Sequence, residues 1–124
     1  MADTREIPTE SWIDFFDGFS RRHEGWLVDV HVLGELGAQV EAEKLPLQGI
    51  SADHDNKDIS IATVRGGKIF EHFIVHPVHV RVEEENGAEN AVEIESSQGD
   101  RTLVTFRSAV PPEAVDGIAP DPAR

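Results

Sequence analysis

At 124 residues, with 39% hydrophobic side chains, two Trp and six Phe, the chain has the size and apolar content of one ordinary folded domain. Its 24 acidic side chains against 11 Lys and Arg give a net charge of −13, a field that repels phosphate backbones and anionic lipid, so neither nucleic acid nor a membrane is an expected partner. The absence of cysteine removes disulfides, thiol nucleophiles, iron–sulfur clusters and thiolate zinc sites together.

The first six residues have neither a basic start nor an apolar run, and no stretch reaches the length of a membrane span, so the expected compartment is the cytoplasm. Only three of the basic residues are Lys (Lys44, Lys57, Lys68), and an acid-rich, lysine-poor surface suits concentrated salt, where counterions screen self-repulsion. The hypothesis of a salt-tolerant host follows. The melting temperature is expected to rise with added KCl, and a flat response from low to molar salt would count against it.

Ile7-Pro8-Thr9-Glu10 carries helix-start chemistry, because proline is tolerated in a first turn and acids favour the positive end of the helix dipole. Trp12, Phe15, Phe16 and Phe19 then recur at helical spacing, which predicts one aromatic stripe, destined for the core, on a helix over about residues 8–22. Ser20-Arg21-Arg22-His23-Glu24-Gly25-Trp26 closes that helix. Arg21 and Arg22 fall where cations favour the dipole, and Gly25 suits a left-handed cap. The same joint is the densest cluster of chemically able side chains. Arg22, His23, Glu24 and Trp26, together with Trp12, are therefore the candidate residues for a ligand or an interaction.

From Trp26 the apolar period falls to 2 and holds over about residues 26–107, which predicts strands. Face matching pairs Val30 with Val40 across an odd loop centred on Glu35. Leu45-Pro46-Leu47 is a short run that proline confines to an edge or a strand end, and Asp53 to Asp58 form a polar turn. Gly66-Gly67 joins two strands with Val64 opposite Ile69 and Ile61 opposite His72. Both faces of this hairpin are partly apolar, which places it centrally in the sheet. Three further strands lie around Val78–Val82, Val92–Glu95 and Thr102–Phe106. Matched faces there pair Val82 with Val92 and Ile94 with Val104, set Arg81 against Glu93, and put Asn86-Gly87 inside an odd loop.

The expected fold class is α+β: an N-terminal amphipathic helix on a curved, mainly antiparallel meander sheet or partly open barrel of about seven strands. Residues 1–116 form the single expected domain, and 117–124, where prolines interrupt any pattern, a flexible tail.

Little else carries chemistry. His72, His76 and His79 are the one histidine group worth weighing as a metal site, but strand geometry holds the first two roughly 13 Å apart, too far to share an ion, and only a sharp bend at Pro77 brings His79 in. Asp53 to Asp58 lacks the glycine and the distal glutamate of a calcium loop, and Arg65-Gly66-Gly67-Lys68 lacks the ending of a phosphate loop. Glu83, Glu84 and Glu85 form a solvated acidic run. No nucleophile elbow or metalloprotease helix is present, and no metal or cofactor is expected.

The segments Arg5 to Pro8, Trp12 to Asp17 and Ser20 to Val28, continued by Gly34 to Gly37, Leu45 to Ser51 and Phe106 to Val110, resemble a bacterial family of small single-domain proteins of unknown function. The marks of that family are Ile-Pro, then Trp-x-x-Phe-Phe-Asp, then Ser-Arg-x-His-Glu-Gly-Trp. The resemblance covers nearly the whole chain and brings no catalytic residue with it. The thin catalytic inventory makes a non-enzymatic protein-interaction or binding module the first expectation, through an edge strand taken up by a partner protein or a second copy. A small-ligand domain using the cavity between helix and sheet is the first alternative, and a small enzyme relying on His and carboxylates the second.

Overall fold

The aromatic stripe forms helix α1, Trp12–His23. In this computed structural model, which describes residues 2–35, 37–85 and 88–107, α1 starts later than the sequence predicts, because Pro8 is extended and Thr9–Ser11 make a 3-10 turn first. Trp12 Nε1 donates to the Ile7 carbonyl at 2.9 Å, which fixes the entry of the chain into the helix. Trp12, Phe16, Phe19 and His23 are buried, while Phe15 is half-buried at the rim. Gly25, at φ +86, turns the chain into the sheet as expected.

Eight strands follow the order β1-β6-β7-β8-β2-β3-β4-β5, and every pair is antiparallel. They are β1 Ala2–Glu6, β2 Leu27–Gly34, β3 Gly37–Ala52, β4 Ile59–Arg65, β5 Lys68–Ile74, β6 Pro77–Glu85, β7 Ala88–Ser96 and β8 Arg101–Arg107. The α+β class stands, but the described residues hold eight strands rather than the expected seven or so, and the sheet is not closed into a barrel. Two meanders, β2 to β5 and β6 to β8, join where β8 lies beside β2. Only Val75 and His76 connect β5 to β6, so Ile74 and Pro77 lie within about 11 Å of each other and the sheet must curl strongly.

Strand β1 is absent from the sequence reading because Ala2 to Glu6 has no apolar alternation. Its pairing with β6 runs from Ala2 opposite Glu85 to Glu6 opposite Arg81, and ion pairs reinforce it. Arg5 meets Glu84 at 3.3 Å, and Arg81, which also pairs with Glu93 and Glu95 of β7, comes within 3.8 Å of Glu6. His79 Nδ1 donates to Glu6 Oε2 at 2.6 Å, and this bond, more than any other influence, holds the Glu6 carboxyl below the usual carboxylate range.

The two expected runs at 38–42 and 45–47 are one strand, β3. Pro46 is tolerated because it stands where pairing switches: Leu27 opposite Pro46 ends the ladder with β2, and Leu47 opposite Thr63 begins the ladder with β4. The free side of the second half of β3 is covered by the end of α1. Ser20 Oγ donates to the Ile50 carbonyl and accepts from its N–H, each at 2.8 Å, and Gly25 N–H donates to the Leu47 carbonyl at 2.8 Å.

The expected registers hold for Val64 with Ile69, Ile61 with His72, Val82 with Val92, and Arg81 with Glu93. Val30, however, pairs with Ala42 rather than Val40, because Gly34 pairs directly with Gly37 and the odd residues are absorbed as bulges farther along the ladder. One bulge includes Lys44 at φ 53, whose N–H donates to Asp29 Oδ1 at 2.8 Å. The odd residue of the β6–β7 hairpin is likewise absorbed by a register shift between Glu83 and Glu84; Asn86 and Gly87 themselves lie outside the described residues. Ile94 pairs with Thr102 and Val92 with Val104, a two-residue slip from the expected register that leaves every face unchanged. The boundary expected at residue 116 and the tail at 117–124 also lie outside the described residues.

The largest correction concerns β5. Apolar side chains on both faces suggest a central strand, yet β5 is one edge of the sheet.

Candidate functional site

The helix-to-sheet joint gathers three of its five candidate residues. Arg22, His23 and Trp26 line an open hollow of about 540 Å³ with Glu84, Ala88, Glu89, Asn90 and Phe106. Arg22 and His23 reach it because they stand in the last turn of α1, directly above the start of β7. Arg22 Nη2 donates to both oxygens of Glu89, at 2.9 and 3.1 Å. His23 Nδ1 lies 2.9 Å from the Phe19 carbonyl, which can only accept, so this nitrogen carries the proton. Its Nε2 faces Glu89 Oε1 at 3.6 Å. The imidazole is stacked on Phe106 at 4.9 Å, contacts Phe19 at 4.3 Å, and meets Trp26 edge-on at 4.8 Å.

Trp12 and Glu24 are not among the residues lining this hollow. Trp12 is spent on the core and on Ile7, and Glu24 is an exposed, extended residue just past the helix. The sequence missed Glu89 and Phe106, which arrive from β7 and β8, and only the charge of Arg22 hinted that an acid would meet it. Among the described residues no Ser, Thr or Lys lines the hollow, and its Arg22, His23 and Glu89 already engage one another. This arrangement ties α1 to β7 more evidently than it prepares a reaction.

His72, His76 and His79 take separate neighbours. His72 faces Glu41 at 3.9 Å, His79 bonds Glu6, and the backbone N–H of His76 donates to Asp58 at 3.1 Å. Among the described residues no three His, Asp or Glu are grouped so as to hold a metal ion.

The second feature of note is the β5 edge. Ile69, Phe70, Phe73 and Val75 are 55%, 49%, 61% and 51% exposed, so four large apolar residues stand about half in solvent along one short strand and its end. The opposite edge, β1, carries Asp3, Thr4, Arg5 and Glu6, the charged protection usual for an unpaired strand. Beside β5 lies a cavity of about 160 Å³, whose lining includes Val30, Ala42, Leu45 and Ile61 together with Glu41, Arg65, Phe70 and His72.

The class these features define is an α+β domain in which one helix covers a single open antiparallel sheet. No helix among the described residues is long and apolar enough to cross a membrane. The chain belongs to the family of unknown function DUF5335, which matches residues 3–115, as the resemblance in its sequence implied. It is 34% identical over 109 residues to an uncharacterized protein of the bacterium Aquifex aeolicus (strain VF5), covering 87% of this chain and 96% of that one. No solved structure matches the chain significantly.

Proposed function

We propose that the protein is a non-enzymatic interaction module that takes an extended segment of a partner protein as an added strand along β5. The observation that carries this reading is the contrast between the two edges: β1 is guarded by charge and exposes no large apolar side chain, while β5, partly apolar on both faces, leaves Ile69, Phe70 and Phe73 in solvent and lacks proline. Because Arg65 pairs with Lys68 across a two-residue turn, alternation along the hairpin directs the N–H and C=O groups of Ile69, Glu71 and Phe73 away from β4. An incoming backbone would satisfy them, and its side chains would cover the exposed rings.

The test is selection from a library of displayed random peptides. Enrichment of peptides with alternating apolar residues is expected, with Phe73→Lys weakening their binding about tenfold or more, since a charge on the edge opposes strand pairing. Equal binding by the wild type and by Phe73→Lys would overturn the reading. The hollow beside His23 supports a small-ligand reading less well, because the charged groups that line it, Arg22 and Glu89, already pair with each other.

A further inference from the structure

We propose that the strand added to β5 carries a lysine or arginine directly opposite Glu71, with an apolar residue two positions to either side of it, so that one carboxylate on the outer face of the edge sets both the partner's chemistry and its register. The inference rests on strand addition at β5 and names what is added.

Alternation divides β5 into two faces. Phe70, His72 and Ile74 pair with Thr63, Ile61 and Ile59, all buried, and so share the core-side face. The charged groups near that face are already engaged: Glu41 faces His72 at 3.9 Å, and the Arg65 guanidinium lies over the Phe70 ring at 5.4 Å. Ile69, Glu71 and Phe73 pair with Val64, Ala62 and Ser60 and form the outer face. There one exposed carboxylate stands between two apolar side chains that are themselves largely in solvent. The residues opposite on β4 carry no charge, and among the described residues none pairs with Glu71.

The same three residues turn their N–H and C=O groups away from β4. In an antiparallel addition, the arrangement of every described pair in this sheet, each of them meets one partner residue with the two Cβ atoms about 5 Å apart. Opposite Ile69 and Phe73, apolar side chains remove wet apolar surface from water. Opposite Glu71, an apolar side chain desolvates the carboxylate without pairing it, and an acidic one repels it. A cation answers the charge, and its long stem packs along the flanking side chains. Apolar alternation by itself is blind to a slip of two residues. The carboxylate removes that freedom, because a slipped strand sets its cation against Ile69 or Phe73 and an apolar side chain against Glu71.

The experiment uses the full chain and peptides of seven residues, the length of β5, with the sequence Thr-Val-Thr-X-Thr-Val-Thr and Lys, Gln or Glu at X. Fluorescence anisotropy is expected to show the Lys peptide binding about threefold tighter than the Gln peptide and about tenfold tighter than the Glu peptide, the scale of a partly exposed cross-strand charge pair. Glu71→Gln should level the Lys and Gln peptides. Glu71→Lys should invert the order, the Glu peptide then binding best, although the chain remains strongly acidic. The same charge reversal at an exposed site elsewhere, Glu10→Lys, should leave the wild-type order intact.

If Phe73→Lys abolishes binding but the three peptides bind the wild type equally, the basic anchor is wrong and strand addition stands. If Glu71→Lys still prefers the Lys peptide, or Glu10→Lys inverts the order as Glu71→Lys does, the anchor is again wrong, because the field of the whole protein then accounts for the preference. If no peptide binds, or Phe73→Lys changes nothing, strand addition itself falls.

Discussion

Phe19→Ala is expected to lower the unfolding free energy by about 3–5 kcal/mol, the range found when a large ring is removed from a packed core. Phe19 has no exposure, and its ring lies 5.5 Å from that of Phe15, 6.5 Å from Phe16, 5.1 Å from Phe106 and 4.3 Å from His23. Removing it strips one wall from each of these neighbours at once. It also withdraws the ring beneath the Arg22 guanidinium, 5.9 Å from its centroid. Against a typical domain stability of about 5–15 kcal/mol, the loss would take a large share of what holds the fold. Urea denaturation checks it: the midpoint should fall with little change in slope, and a loss below about 1 kcal/mol would mean that the helix does not depend on this face.

His23→Ala is expected to cost about 2–4 kcal/mol, combining loss of buried ring area, of the bond to the Phe19 carbonyl, and of stacking on Phe106. His23 is only 5% exposed, whereas its neighbour Glu24 is exposed, so Glu24→Ala should stay within about 0.5 kcal/mol. The pair of substitutions separates two views of the joint that the sequence leaves tied together. Chemical denaturation of both variants, with His23→Phe as a third, measures the division: the phenylalanine should recover the stacking but not the hydrogen bond. Unchanged stability in His23→Ala, accompanied by lost ligand binding, would make the joint a site after all.

Much of the local structure is legible in the chain. The stripe of Trp12, Phe15, Phe16 and Phe19 marks α1 because helical periodicity is a property of neighbouring residues. Gly25 and Gly66-Gly67 mark their turns because positive φ favours glycine. The candidate site was legible only in part. Arg22, His23 and Trp26 share a hollow, but Glu89 and Phe106, which complete it, come from strands far along the chain. Nothing local in either residue points to His23.

Alternation by itself determined the antiparallel character of the body, the faces of most strands, and the pairing of Arg81 with Glu93. Tertiary structure alone decided which residues oppose one another elsewhere. A period of 2 is blind to a slip of two residues, as in Val92 with Val104, and an odd residue can lie in a loop or in a bulge. It alone recruited the polar segment Ala2–Glu6 as β1, through backbone pairing that needs no apolar pattern. It alone left β5 at the edge. A strand apolar on both faces reads the same whether neighbouring strands already cover it or its partner lies outside the chain, because hydrophobicity specifies that a surface should be buried and not what buries it.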